Sequence, residues 1–193
     1  GLKFDLARFD GEFFERLRER VMAAKNRGIY VSIMLFQGYS SAGSDSWAVH
    51  PFNKVNNINK IDGDLNRNGI GEEIHTLASA RITALQEAYV AKVIDTVNDL
   101  DNVLYEIVNE DVGGSSEWQY HLINFIKKYE SEKGKSHPIG MTHQAKRSEE
   151  KDAGNTDLYK SPADWISPGN YSVYAKDPPA ADGRKVILLD TDH

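Results

Sequence analysis

The sequence predicts an α/β protein whose strands run parallel in one sheet. Apolar, strand-like runs alternate with amphipathic helical segments along most of the chain. The connections before the first three strands have the length of crossover helices, which parallel pairing requires. A chain of 193 residues with 40% hydrophobic side chains suits a single domain, spanning residues 1–193, with its own core. An open doubly wound sheet and a (β/α) barrel both satisfy these observations.

The first two elements have clear boundaries. Asp10 is a good N-cap residue, and apolar residues follow it at helical spacing as far as Gly28, which favours a helix stop. Residues 29–36 form a nearly continuous apolar run, which predicts a strand covered on both faces. Residues 37–75 are rich in Gly, Ser, Asn and Asp, and we predict a long loop insertion over the end of this strand.

The later elements are shorter. A second helix is predicted from about Thr76 to Leu100, followed by a strand over residues 103–108. Ser116 and Gln119 have the spacing of a capping box and mark the start of a third helix, which Gly134 ends. Three further short strands are predicted at 138–142, 164–167 and 185–189, with polar, weakly helical connections between them.

Composition excludes several classes of function. The chain carries 23 basic and 29 acidic residues, a formal charge of -6, so it lacks the basic surface that binds nucleic acid. No apolar run approaches the roughly 20 residues that cross a bilayer, and the first ten residues do not resemble a secretory signal. We therefore expect neither a nucleic-acid nor a membrane partner. With no cysteine, disulfides, thiolate metal sites and a cysteine nucleophile are excluded.

Polar and ionisable residues follow the predicted strands. Ligands bind at the carboxyl ends of parallel strands in both candidate folds, so these side chains predict one shared pocket. The residues are Gln37, Tyr39, Asn109, Glu110, Thr142, His143, Asp190, Asp192 and His193.

The second strand ends in Asn109-Glu110, where an amide can hold a substrate hydroxyl and a carboxyl group can move a proton. Together with the whole run of residues 99–110, the segments 27–31 and 161–167, and the Asp-Thr-Asp-His ending, this strand resembles the retaining clan A glycoside hydrolases. The sequence is similar in particular to cellulase-like bacterial members of that TIM-barrel group. The resemblance implies an incomplete (β/α)8 TIM barrel holding the third to seventh strands and lacking the first, second and eighth.

The resemblance also implies residue roles. Asn109 would bind the hydroxyl beside the reacting carbon, and Glu110 would be the general acid/base. Asp190 falls at the nucleophile position, where the family has Glu. Because Asp is shorter, the two carboxyl groups either lie about 5–5.5 Å apart, as a retaining mechanism needs, or lie further apart and leave room for the water of an inverting reaction. Both alternatives remain open. Asp192 is the alternative carboxylate, and His193 could orient either one.

Other residues are candidates for substrate contact. Tyr39 and Trp47, in or beside the polar loop, present aromatic rings that can stack on a sugar. Gln37 and His143 lie at strand ends. Trp165 is a further stacking candidate, although a core position is the alternative for it and is expected for Trp118.

The loop contains a possible cation site. Asp64-Leu-Asn-Arg-Asn-Gly69 fits the first six positions of a calcium loop, with Asp62, Asp64, Asn66 and Asn68 as candidate ligands. The twelfth position, where calcium loops have Glu, is His75. Asn- and Gly-rich segments also form simple turns, so a structural calcium and an ordinary turn both remain open. No other cofactor is expected.

The sequence therefore predicts a glycoside hydrolase acting on a β-linked poly- or oligosaccharide. One alternative is a catalytically silent barrel fragment that binds carbohydrate or self-associates. An esterase using the same cleft is less favoured because the chain has no Gly-x-Ser-x-Gly segment. An incomplete barrel has open edges, which predicts a homo-oligomer. A secreted or periplasmic bacterial location would follow from the resemblance alone.

Overall fold

The computed structural model describes residues 3–111, 114–142, 153–169, 176 and 182–188. Its centre is one sheet of five strands, all parallel, in the order in which they occur along the chain. The strands are β1 (Val31–Gln37), β2 (Val103–Asn109), β3 (Ile139–Thr142), β4 (Trp165–Ser167) and β5 (Val186–Ile187). The predicted α/β class with a parallel sheet is confirmed.

The first helix, α1 (Gly11–Lys25), begins where the sequence predicts. An Asp10 carboxylate oxygen accepts a hydrogen bond of 3.0 Å from the backbone N–H of Glu12, so it satisfies one of the donors that every helix start leaves free. After the helix, Gly28 has φ of 69° and turns the chain towards β1. Glycine adopts this left-handed conformation without the penalty that a Cβ imposes.

One expectation for β1 is wrong, because the strand is not covered on both faces. Ile33 and Leu35 are buried in the main core, whereas Ser32 and Met34 are exposed. The side chains of a strand point alternately to its two faces, and the described helices cover only the face that carries Ile33 and Leu35. The exposed Met34 thus marks an open face of the sheet.

The predicted loop 37–75 has more internal structure than its composition suggests. It contains two short helices, α2 (Tyr39–Ala42) and α3 (Ser44–Ala48), and a single 3-10 turn, Glu72–His75. It also has a small core of its own, separate from the main core, in which Trp47, Ile61 and Ile74 pack against Ile82 of the next helix. This packing fixes the insertion over the end of the strand.

The middle of the chain follows the predicted helix–strand–helix pattern. Helix α4 (Ala80–Val97) starts later than predicted, because Ser79 is the residue whose hydroxyl accepts from a backbone N–H of the first turn. Helix α5 (Ser116–Ser131) has Ser115 as its N-cap residue. The predicted capping box is therefore wrong: the Gln119 amide donates to the Ser115 hydroxyl, and the Ser116 hydroxyl donates to Asp157.

The last three strands lie within their predicted ranges. The connection between β3 and β4 contains α6 (Ala153–Lys160), a helix that the polar sequence only weakly indicates. The main core lies between the sheet and α1, α4 and α5, and includes Phe14, Val21, Val90, Ile94, Tyr105, Ile107, Leu122, Ile126 and Met141. No helix in the described part of the chain is long and apolar enough to cross a membrane.

A buried polar network joins α5 to the amino-terminal end of the strands. The Glu130 carboxylate accepts from His137 Nδ1 at 2.7 Å, from the His137 backbone N–H at 2.8 Å and from the Asn98 amide at 3.0 Å. The second ring nitrogen of His137 donates to the Leu100 carbonyl oxygen at 2.7 Å. Buried charges are tolerated when they are paired and hydrogen-bonded in this way.

Candidate functional site

The carboxyl ends of β1 and β2 bring several predicted site residues to one edge of the sheet. Gln37 and Asn109 are direct neighbours in the parallel register, and the Gly38 backbone N–H donates to the Asn109 carbonyl oxygen at 2.8 Å. Tyr39 begins α2 immediately afterwards and is 67% exposed. Glu110, also exposed, follows Asn109. This edge therefore carries an amide pair, a phenol and a carboxyl group within reach of solvent.

Glu110 has an unusual backbone conformation. Its φ is 50°, in the left-handed region that L-residues other than glycine rarely occupy. Such a conformation costs on the order of 1–3 kcal/mol and persists only where the surrounding structure holds it. Strain of this kind is common at functional sites, and here it occurs at the residue predicted to be the acid/base.

Gly38 packs directly against this strained segment. A Cβ placed on Gly38 would lie 2.5 Å from the Glu110 carbonyl oxygen and 2.7 Å from the Asp111 backbone nitrogen. Real Cβ atoms do not approach so closely, so only glycine allows the end of β1 to lie against residues 110 and 111.

Asp111 forms a buried pair with His75, and the sequence did not predict this pair. His75 Nδ1 lies 3.3 Å from an Asp111 carboxylate oxygen, and both side chains are almost completely buried. The His75 ring stacks on the Trp118 indole with 4.5 Å between centroids and an interplanar angle of 23°. The rule that polar residues after a strand form the site would have included Asp111, whereas nothing local in the sequence indicates that His75 is its partner.

A short hydrogen-bonded chain fixes the backbone beside His75. The Trp118 indole N–H donates to the Gln86 side-chain oxygen at 2.9 Å, and the Gln86 amide donates to the Ile74 carbonyl oxygen at 2.7 Å. Trp118 is fully buried, as the sequence predicts. The end of the 37–75 loop is therefore anchored to both α4 and α5.

Trp47 does not lie with the strand-end residues. Its indole is 3% exposed and packs inside the loop core, so it offers no free face to a sugar ring. The predicted ligand contact at Trp47 is thus not supported, because the loop folds around this side chain. The His50 ring stacks on the Trp47 indole with 5.0 Å between centroids. Burial together with the nearby His75 lowers the pKa of His50 to about 4.

Trp165 is also buried, which favours the core alternative for it. The residue is 5% exposed, and its indole occupies the space over Gly140 on the neighbouring strand, where any Cβ would overlap the ring. It lies at the start of β4, two residues before the carboxyl end of that strand. It therefore packs on the sheet over β3, away from the strand end.

Several predicted residues lie outside the described part of the chain. These are His143, Asp190, Asp192 and His193. The roles given to them, and the separation between Glu110 and a second carboxylate, stay predictions. Thr142 is described: it ends β3, and its hydroxyl donates to the Val108 carbonyl oxygen at 2.8 Å, tying the end of β3 to β2.

The oxygens of the predicted calcium loop bond within the loop. The two Asp64 carboxylate oxygens accept from the backbone N–H groups of Asn68 and Gly69, each at 3.0 Å, and the Asn66 amide donates to Glu73. Asp62 lies 3.1 Å from Lys54. No cluster of three or more His, Asp or Glu side chains suited to a metal ion occurs among the residues that the structure describes. Calcium binding by Asp62, Asp64, Asn66 and Asn68 stays a prediction.

Comparison with protein families identifies one relationship. Residues 2–155 match the family described as a domain of unknown function (DUF6298), and the chain belongs to this family. The matched region contains β1 to β3 and the whole of the site around Glu110, His75 and Asp111. No curated protein and no solved structure matches the chain.

Proposed function

We propose that this protein is a glycoside hydrolase acting on a β-linked poly- or oligosaccharide, with Glu110 as general acid/base. The observation that carries the proposal is the placement of Asn109 and Glu110 at the carboxyl end of a parallel strand, with the Glu110 backbone in a strained conformation and its side chain exposed. Ligands bind at this edge of parallel sheets. The resemblance of residues 99–110 to clan A enzymes adds the reaction type.

The strand order supports a barrel-type fold. Each strand lies beside the one that follows it in the chain, β1 to β5, without a reversal of direction. A doubly wound sheet reverses its order at a switch point, which is where its ligand binds. The proposed fold is accordingly the third to seventh strands of a (β/α)8 TIM barrel.

In the proposed reaction, the Glu110 carboxylic acid protonates the glycosidic oxygen as its bond to the anomeric carbon breaks. The second carboxylate, assigned to Asp190 or Asp192, either bonds to the anomeric carbon or takes a proton from the attacking water. If the second carboxylate has bonded to the anomeric carbon, water then attacks that carbon, the carboxylate leaves, and the proton of the water passes to Glu110. If the second carboxylate has acted as base, it holds the proton of the water, and exchange with solvent returns a proton to Glu110. One water is consumed in either case. Asn109 would hold the hydroxyl next to the reacting carbon.

The assignment is tested with Glu110→Gln. Removing a general acid/base lowers rates by about 10²–10⁴-fold, so we expect a fall of that size in kcat/KM on cello-, xylo- and manno-oligosaccharides, measured by reducing-end release. Glu117→Gln makes the same chemical change at an exposed position at the start of α5 and is the control. If Glu110→Gln hydrolyses these substrates as fast as the wild type, Glu110 is not the acid/base.

A silent or self-associating fragment is the second candidate, and one observation favours it. Met34 of β1 and Val186 of β5 belong to one row of residues across the sheet and are 45% and 59% exposed. In the described part of the chain, β1 and β5 are the two edge strands of the sheet, and the unpaired backbone groups of an edge strand can pair with another chain. We propose that a second copy of this chain covers them.

Self-association is tested by light scattering at micromolar concentration. Met34→Lys should convert an oligomer into a monomer, whereas Val49→Lys, which changes a side chain that is 71% exposed on the loop, should not. A wild-type protein that is monomeric at this concentration would contradict the proposed self-association. Calorimetric binding of cello-oligosaccharides without turnover would favour the silent fragment over the hydrolase.

A further inference from the structure

The strained backbone of Glu110 needs contacts on both sides to hold it. With φ of 50°, the residue would relax to an ordinary conformation if the chain before or after it were free to rotate. The position of its carboxyl group depends on this conformation, because φ and ψ set the direction in which the Cα–Cβ bond points from the strand end. Two sets of contacts among the described residues oppose relaxation: Gly38 lies against residues 109–111, and His75 pairs with Asp111.

The first contact is Gly38. Its backbone N–H holds the Asn109 carbonyl oxygen at 2.8 Å, and its Cα faces the Glu110 carbonyl so closely that a Cβ could not be accommodated. The Ser41 hydroxyl in turn donates to the Gly38 carbonyl oxygen at 2.9 Å, in the interior of the loop. Gly38 therefore forms a fixed surface against which residues 109–111 lie.

The second contact is the His75–Asp111 pair. Asp111 directly follows Glu110, so an anchored Asp111 fixes the direction in which the chain leaves the strained residue. The anchor is His75 Nδ1 at 3.3 Å from the carboxylate, and His75 is held by its stack on Trp118. A carboxylate accepts hydrogen bonds, so Nδ1 carries the proton in this pair.

We propose that His75, Asp111 and Gly38 are positioning residues for Glu110: they hold its backbone in the left-handed conformation and so place its carboxyl group at the sheet edge. This inference rests on the proposed function for its catalytic consequence. A misplacement of about 1 Å by a distant change can lower a rate about 100-fold. None of the three residues needs to touch the substrate to have this effect.

The main test is His75→Phe, which keeps a flat ring for the stack on Trp118 and removes Nδ1. We expect kcat on the oligosaccharide panel to fall about 100-fold with KM little changed, because Glu110 moves while the residues that bind the substrate stay. The control is His50→Phe, which removes the other loop histidine that stacks on an indole and leaves Asp111 untouched. It should keep the wild-type kcat.

The second measurement does not depend on activity. The backbone ¹³Cα chemical shift of Glu110 reports φ and ψ, and it should leave its wild-type value in His75→Phe and remain unchanged in His50→Phe. Gly38→Ala, compared with Gly134→Ala, where a Cβ meets no other atom within 4 Å, should give the same pair of results. Asp111→Asn, which keeps an oxygen for His75 Nδ1, should retain more of the wild-type kcat than Asp111→Ala.

The outcomes separate the two proposals. If Glu110→Gln is fully active, the proposed function fails, and the Glu110 chemical shift alone then decides whether His75 holds its backbone. If Glu110→Gln is inactive but His75→Phe keeps both the wild-type kcat and the wild-type Glu110 shift, the positioning role is overturned and the hydrolase proposal stands. If His75→Phe does not fold, Gly38→Ala replaces it with the same two readouts, and an unchanged kcat and Glu110 shift in that variant overturn the positioning role.

Discussion

The two ends of the sheet each contain a buried histidine–carboxylate pair, and the pairs differ in their surroundings. At the amino-terminal end, Glu130 and His137 are joined at 2.7 Å, and further donors and acceptors complete the network. At the carboxyl end, His75 and Asp111 lie 3.3 Å apart beside a strained Glu110. The first pair stabilises the contact between helix and sheet, and the second supports a strained backbone.

The distribution of backbone strain makes the same distinction. Among the described residues, the non-glycine residues with positive φ are Lys60, Arg67 and Glu110. All three belong to the loops over the carboxyl ends of the strands, and the network at the amino-terminal end includes none of them. One fold thus separates a stabilising end from an end whose loops hold the candidate site, as is common in α/β enzymes.

The largest effect is expected when a substitution breaks the stabilising pair. Glu130→Ala leaves the Nδ1 and backbone N–H donors of His137 buried without their acceptor, and breaking a buried pair in this way costs about 3–5 kcal/mol. We expect a loss of that size in the free energy of unfolding, measured by urea denaturation. Glu132→Ala, at an exposed position at the end of the same helix, is the control. A loss below about 1 kcal/mol, the value typical of surface pairs, would contradict the stabilising role.

The second prediction concerns pH, because histidines on opposite sides of the molecule respond in opposite directions. Burial alone would lower the pKa of His137, but its hydrogen bonds to Glu130 and Leu100 outweigh burial and raise the pKa above 6.5. Its contribution to stability is therefore complete below pH 6.5 and is lost as pH rises through the raised pKa. Burial lowers the pKa of His50 to about 4, so its contribution is complete above pH 6.5 and is lost as pH falls towards 4.

Urea denaturation at a series of pH values checks this prediction with His137→Phe and His50→Phe. The difference in unfolding free energy between wild type and His50→Phe should rise with pH between about 4 and 6.5, by at most about 1.4 kcal/mol per pH unit. For His137→Phe the difference should fall as pH rises above 6.5. Parallel curves for the two variants would show that the two histidines do not differ in this way.

The smallest effect is expected from variants that test the backbone strain at Glu110. Glycine adopts a φ of 50° without a Cβ penalty, so Glu110→Gly should be more stable than Glu110→Ala by about 1 kcal/mol. Lys60, with φ of 57°, offers a matched pair of variants in the same group of loops and should show a similar difference. Equal stability of Glu110→Gly and Glu110→Ala would mean that Glu110 is not strained in solution.

The sequence predicted the parallel α/β class, the positions of the five strands, and the Asp10 N-cap, because these depend on local periodicity and capping. It also placed Gln37, Tyr39, Asn109 and Glu110 at strand ends, where the structure has them. It did not predict the burial of Trp47, because the loop core forms from residues far apart in the chain. The prediction that β1 is covered on both faces was wrong for a related reason, because an apolar run does not show how many faces of a strand other elements cover.

The sequence by itself determined which residues form helices and strands and which polar side chains follow the strands, since hydrophobic period and turn chemistry are local properties. Only the tertiary structure decided that His75, from the end of a long loop, meets Asp111, and that Gly38 lies against Glu110. These contacts join residues 36 and 72 positions apart, and no local pattern encodes which distant groups will share a buried site. The support beneath the candidate acid/base is therefore a property of the fold.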